Sequence, residues 1–496
     1  MSQNSVDKVK DKGQIYTPIP IVNMMLDYAA YTGDYILKKH VVDNSCGNGH
    51  ILGEVVKRYI DVSLSNLWGS DVRQGLKEYI HGIEYDPVTC EQCKTYLNDI
   101  LKSYKLEPIE WDIICDNALT VTAYNGKIDF VFGNPPYVRM KNIKKSDKTN
   151  DDYRILKRYS FAEKGMSDLY LAFYELGLNM CNETGVLCYI APSAWINSQS
   201  GENMREYITS TKTLSSVIDF EHIQVFDNAT TYVMITLFDK HPHSFIRYDK
   251  YSEEKNDFYP VYKIPYERLS IDDNFYFVSD EEYDIIKNVY KNEQLYKSVR
   301  TKTKPVEVKN GYATLADDIF IDDLPDFKNF TIPIIKGSTG QVKRCLFPYD
   351  KNLNLISLNK IKNTDQEVYD YLMEHKDDLE KRTYDHKDDE KHQELWYSIG
   401  RSQGLKDTFI KRVGINSLVK TPDDLKLMNV DEGCGIYSGL YILSDFSLEE
   451  IEKVLRTDSF VDYVKSLRKY KSGGYYTFSS KDVERYLNYM IEKSGV

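Results

Sequence analysis

Along the first 240 residues, short apolar runs alternate with segments whose apolar positions recur at helical spacing. The runs at 40–45, 79–86, 111–117, 128–134, 185–192, 215–222 and 231–239 predict seven strands. The stretches 20–31, 50–60, 87–104, 168–182 and 202–210 predict helices between them. Strands that alternate with helices call for an α/β fold, a mostly parallel sheet covered on both faces. The last two runs lie too close for a helical crossover, so they are expected to form an antiparallel hairpin at the sheet edge. After Lys240 the alternation gives way to a tyrosine-rich, charge-clustered half without repeats or a Gly/Ser linker. The pattern therefore predicts two domains, 1–240 and 241–496.

Composition narrows the class. The 496 residues carry 64 basic and 76 acidic side chains, a net charge of −12, so a polyanionic partner must be held by local basic patches. Three windows qualify: 138–160 (net +5), 291–309 (net +4) and 465–481 (net +5), each containing tyrosine. Segment 365–395, at net −7, reads as solvated helix. Mean hydropathy is −0.50, no apolar run approaches a membrane span, and the polar N-terminus does not resemble a signal peptide. A cytoplasmic protein is expected, its eight scattered cysteines reduced. Cys90 and Cys93 form one CxxC without a second pair, and burial in a helix is the better reading. The 41 tyrosines suit stacking on a polar partner, although coding bias explains them equally well.

Chemistry concentrates at the strand ends. Asp43, Asn44, Ser45, Cys46, Gly47, Asn48 and Gly49 run from the first strand to the helix at His50, and the two glycines let backbone N–H groups approach a ligand. The turn is neither a GxGxxG fingerprint nor a phosphate loop, and alone it reads equally as a tight βα turn. Glu84 ends the second strand, where a carboxylate can accept both hydroxyls of a ribose; Asp116 ends the third, where it can accept from an adenine amino group. Three successive strands ending this way point to a nucleoside cofactor. The fourth strand ends in Asn134, Pro135, Pro136 and Tyr137. The prolines stiffen the loop and remove donors. The Asn134 side-chain oxygen and the Pro135 carbonyl can accept both hydrogens of a planar amino group, freeing its nitrogen lone pair, and Tyr137 offers a flat face for the ring.

These residues resemble the S-adenosylmethionine-dependent amino-methyltransferases that make N6-methyladenine in DNA. The motif order is similar to that of their gamma group, which includes the TaqI methyltransferase. The resemblance implies a Rossmann-like seven-strand methyltransferase domain followed by an α+β DNA target-recognition domain over 241–496. Gly13, Gln14, Ile15, Tyr16, Thr17 and Pro18 are similar to the motif that closes over the methionine part of the cofactor. Asp168–Phe173 resembles the start of the helix whose aromatic residue packs on the cofactor adenine, which implicates Phe173. Val225–Tyr232 resembles the motif whose phenylalanine stacks on a flipped base, which implicates Phe226. The implied cofactor contacts are Tyr16, Thr17, Pro18, Asp43, Ser45, Cys46, Gly47, Gly49, Glu84, Asp116, Asn134 and Phe173; the implied catalytic residues are Asn134, Pro135, Pro136, Tyr137 and Phe226, with no metal. Trp396–Arg401 and Gly473–Phe478 resemble recurring stretches of recognition domains. Cys46 and Asn48 stand where the family varies.

The implied activity is methyl transfer to N6 of an adenine extruded from double-stranded DNA and held between Tyr137 and Phe226. The implied setting is a restriction-modification system with a possible cognate endonuclease. Alternatives are methylation of a protein glutamine amide or an RNA base, N4-cytosine methylation (where Ser-Pro-Pro is the commoner motif), and a fused metal nuclease. Glu307-Val308-Lys309 supplies the short half of a nuclease pattern, but the motif at Gly13–Pro18 is expected to leave no N-terminal nuclease domain. The three basic windows are expected to face one cleft, with 365–395 turned away.

Overall fold

The computed structural model describes residues 16–65, 71–138, 155–165, 167–226, 231–298, 303–322, 324–385 and 395–494. The chain divides into two compact units, Met1–Tyr283 and Asp284–Val496.

The first unit is built on strands β1 (Val41–Asp43), β2 (Ile80–Glu84), β3 (Asp112–Cys115), β4 (Ile128–Gly133), β5 (Cys181–Pro192), β6 (Leu214–Asp219), β7 (Val233–Phe238), β8 (Phe245–Ser252) and β9 (Asp257–Pro265). They form one sheet in the order β3-β2-β1-β4-β5-β7-β6-β8-β9. The stretch from β3 to β5 is parallel, and β6 and β7 pair antiparallel as expected, but inside the sheet and not at its edge, because β8 and β9 continue beyond β6. Helices α1 (Ile19–Tyr28), α2 (His50–Ser65), α3 (Val72–Tyr79), α4 (Pro87–Ser103), α5 (Leu169–Met180) and α6 (Glu202–Thr211) cover it.

Successive residues of a strand point to opposite faces, and the cores follow that rule. Val41, Phe130, Phe132, Cys188 and Ile190 pack beneath α1, α2, α3 and α4, whereas Val42, Val131, Leu187, Tyr189 and Val217 pack beneath α5 and α6. With both faces buried, the central strands read as unbroken apolar runs. Asp86 starts α4 by accepting from Thr89 N, and Pro87 occupies the first turn, where its missing N–H costs nothing.

Three features depart from the sequence expectation. The sheet has nine strands, not seven, because β8 pairs parallel to β6 and β9 pairs antiparallel to β8. The compact unit consequently runs to Tyr283 and does not end at 240. Much of β9 is solvent-facing, so polar residues interrupt the apolar signal there. Helix α3 was not expected; it is short and polar, capped by the Asp71 side chain, and runs directly into β2.

The second unit is α+β. Its sheets comprise four strands (Glu307–Asn310, Leu440–Leu443, Arg412–Ile415, Leu427–Val430), three strands (Val342–Leu346, Thr331–Lys336, Gly435–Tyr437) and three strands (Leu418–Val419, Tyr475–Thr477, Tyr470–Lys471). Trp396 and Tyr397 lie in its core with Tyr312, Phe320 and Phe347, which accounts for that stretch by packing. The acidic segment folds as helices Gln366–Glu374 and Lys376–Lys381 with Val368, Leu372 and Leu379 buried; 386–394 lie outside the described residues. Among the described residues no helix is long and apolar enough to cross a membrane.

Candidate functional site

Parallel pairing brings the C-terminal ends of β1, β2, β3 and β4 to one edge of the sheet, where open α/β folds bind ligands. At the end of β1 the chain turns into α2 through Gly47 (φ +54°) and Gly49 (φ +91°), conformations that favour glycine. A Cβ on Gly49 would stand 2.8 Å from Cys93 Sγ, so α4 also requires the small residue. Glu84 holds the turn from the neighbouring strand: Gly47 N donates to Oε2 (3.0 Å) and Asp86 N to Oε1 (2.9 Å). Burial raises the Glu84 carboxyl above the usual carboxylate range, opposed by those N–H groups.

Asp43 is 1% exposed and accepts from Ser45 N at 3.0 Å. Burial pushes its carboxyl up to about 7, with Ser45 N–H opposing and the Glu84 charge adding. An unfolded carboxyl near 3.8 releases its proton first as pH rises. The stability Asp43 contributes is therefore full below about pH 4 and is lost as pH climbs toward 7, at up to about 1.4 kcal/mol per unit. Asp43→Asn is expected to flatten that decline. Chemical denaturation at several pH values checks it, and equal slopes in both proteins would reject the assignment.

The other predicted ligands divide. Asn44 Oδ1, Ser45 Oγ and Asn48 Oδ1 are buried without a hydrogen-bond partner among the described residues, a cost that a polar ligand would relieve. Cys46 donates its N–H to Ile83 O, and its thiol is raised by the adjacent Cys93 thiol and by burial, so its side chain belongs to the core. Asp116 is exposed and accepts from Asn117 N. Phe173 is 6% exposed within the core of α5.

The N-terminal segment closes over the turn. Tyr16 stacks obliquely against His50, ring centroids 5.2 Å apart, and Pro18 caps α1. Thr17 is buried and accepts a hydrogen bond from Asn134 Nδ2 at 3.1 Å. That bond fixes the plane of the Asn134 amide from its nitrogen side. Gly13–Ile15 lie outside the described residues.

Beyond β4, Pro135 is buried and Tyr137 is half-buried, its hydroxyl donating to Ile190 O at 3.3 Å. Phe226 is 3% exposed and meets Tyr137 edge to face, centroids 6.2 Å apart at 62°. The expected slot between them is not open here. A sandwiched base needs parallel rings about 7 Å apart, twice the carbon contact distance, and the Tyr137–Phe226 pair is neither parallel nor that wide. Asp227–Thr230 fall outside the described residues, as does most of the basic window 138–160.

Asn44 is the site residue that sequence reasoning missed. It is fully buried and donates to Tyr189 Oη at 2.5 Å, tying the turn after β1 to β5. A buried Asn inside a glycine turn was the available signal. The Glu307-x-Lys309 pattern is satisfied internally: Lys309 pairs with Glu307 (3.1 Å) and buried Asp407 (2.9 Å), which also accepts from Tyr441 Oη. The groove lined by Pro87, Val88, Glu91, Gln92, Thr95 and Tyr96 on α4 contains none of the predicted residues.

The fold and this strand-end site define an α/β protein whose polar residues gather at the C-terminal ends of parallel strands. Residues 60–226 match the family model of the Eco57I restriction-modification methylase. The chain is 25% identical over 402 residues to the type II restriction enzyme and methyltransferase RM.Eco57I of Escherichia coli, covering 72% of this chain and 39% of that protein. It is 30% identical over 230 residues to the type II methyltransferase M.BstVI of Geobacillus stearothermophilus, covering 44% and 40%. The chain thus spans about two fifths of the length of these relatives. Its fold resembles that of the type IIL restriction-modification enzyme MmeI, solved in complex with DNA, at TM-score 0.62 and 13% identity over 97% of this chain and 67% of that one.

Proposed function

We propose that this chain transfers a methyl group from S-adenosylmethionine to N6 of an adenine extruded from double-stranded DNA, as the modification activity of a restriction-modification system. The carrying observation is the Thr17–Asn134 hydrogen bond at the end of β4, beside the glycine turn held by Glu84. It presets an amide acceptor next to a nucleoside cradle. The match to restriction-modification methylases over 60–226 supports the same reading.

The cradle fits the cofactor: a carboxylate pinned by two backbone N–H groups, and buried polar atoms of Ser45 and Asn48 awaiting partners. Glu84 would hold the ribose hydroxyls, Asp116 the adenine amino group, and Tyr16 would cover the turn. S-adenosylmethionine, when bound, supplies an electrophilic methyl group. Asn134 Oδ1 and Pro135 O accept the two N6 hydrogens, which localises the lone pair on nitrogen, so this chain contributes orientation and prepared dipoles. Tyr137 and Phe226 part to admit the base. A restriction endonuclease acting on the same site is the expected partner.

Nucleoside mass spectrometry of duplex DNA incubated with the protein and S-adenosylmethionine tests this; N6-methyladenine is expected, and N4-methylcytosine or methylation confined to RNA or protein would overturn it. Thr17→Val is expected to slow transfer about ten-fold, the loss of one orienting hydrogen bond, with cofactor affinity little changed and Thr17→Ser restoring the rate. Equal rates for Thr17→Val and the unmodified protein would remove Thr17 from the mechanism.

A further inference from the structure

The strongest unassigned feature lies in the second unit. The basic window 465–481 folds into a hairpin, Tyr470–Lys471 against Tyr475–Thr477, with Leu418–Val419 pairing on its other side. Its tip is Ser472, Gly473 and Gly474, both glycines at positive φ (+74° and +78°). Lys420 reaches this tip from the neighbouring strand, its Nζ donating to Gly473 O at 3.3 Å. A Cβ on Gly474 would stand 3.2 Å from that ammonium, so glycine there lets the lysine lie against the backbone.

The charges are sorted by depth. Lys465 pairs with Asp462 and Lys469 with Asp482 at the base of the hairpin, and Arg468 donates to Tyr470 Oη. Lys420, Lys471, Ser472 and Gly473 are exposed at the tip, and Lys420 makes no ion pair among the described residues. No acidic residue occurs between 465 and 481 in a chain of net charge −12. Opposite the tip, Asp424 is engaged locally: it accepts from Lys420 N, Thr421 N and Tyr475 Oη.

We propose that this hairpin tip, with Lys420 and Lys471, is a contact to the sugar-phosphate backbone of duplex DNA; the inference rests on the function proposed above. Two and three residues per strand make the ribbon too short to fill a groove, so its cations and exposed backbone meet phosphates at the groove edge. Such a contact positions the protein without reading sequence. It leaves recognition to other residues of the second unit.

The test is binding of a fluorescent DNA duplex by the full chain as salt is varied, with S-adenosylmethionine affinity measured alongside. Lys420→Ala and Lys471→Ala are each expected to weaken binding about ten-fold near 0.1 M salt and to reduce the salt slope by about one, uniformly across sequences. Cofactor affinity stays unchanged, and Lys376→Ala, on the acidic segment, serves as the charge control with unchanged binding. Variants that bind with unaltered affinity and slope, while the unmodified protein binds DNA, overturn the hairpin contact alone. An unmodified protein that neither binds nor methylates duplex DNA overturns the functional reading and the contact with it. Preference for an RNA duplex over DNA also counts against the proposal.

Discussion

Replacing Asn134 with alanine is expected to abolish methyl transfer while leaving S-adenosylmethionine affinity within a few-fold. In the proposed function the amide oxygen and the Pro135 carbonyl both accept from the same planar amino group, which frees its lone pair. Loss of one preorganised group of this kind costs about 10²–10³ in rate, or roughly 3–4 kcal/mol of barrier. The proposed cofactor cradle sits on β1 and β2, held by Glu84 through Gly47 and Asp86, and none of those bonds passes through Asn134. Radiolabelled methyl transfer to DNA beside calorimetric titration of the cofactor separates the two effects. Substantial residual transfer would remove Asn134 from the chemistry, and a matching fall in cofactor affinity would make it a ligand instead. The freed Thr17 hydroxyl is a side effect of the substitution, and the Thr17 variants measure its share.

Glu84→Ala is expected to produce the second-largest effect, a drop in cofactor affinity of about 100-fold or more. A carboxylate accepting two ribose hydroxyls makes charge-assisted hydrogen bonds worth about 1.5–3 kcal/mol each. Glu84 also organises the turn, so its removal leaves Gly47 N and Asp86 N without their acceptor. Glu84→Gln keeps one acceptor oxygen and is expected to fall between the two. Thermal unfolding controls for collapse of the turn. An affinity equal to that of the unmodified protein would exclude the carboxylate from the cofactor site.

Much of this arrangement was legible along the chain because the signals are local. Apolar runs at 128–134 and 185–192 announce strands buried on both faces, and acidic residues at the ends of three successive strands, beside a glycine turn, mark where polar groups gather. Strands β8 and β9 were illegible for the converse reason: β8 and the edge strand β9 are only partly buried and mix charged and apolar residues, and that pattern is shared with loops. Helix α3 was hidden by its eight-residue length. The parallel aromatic pair that the motif implies is not formed in this structure, because a motif names residues and not rotamers; Phe226 packs edge-on to Tyr137.

By itself the sequence determined the order of the seven strands to Phe238, the turn that needs Gly47 and Gly49, and the chemical identities at four strand ends, since each depends on neighbours a few residues apart. Only the tertiary structure decided that Thr17 orients Asn134 across 117 positions, that Asn44 ties β1 to β5 through Tyr189, and that Lys420 completes a hairpin tip 53 residues downstream. Those contacts join segments whose separate patterns carry no trace of one another. The close packing of the sheet and its helices selects them, because a buried polar group must find whichever partner the fold brings within reach.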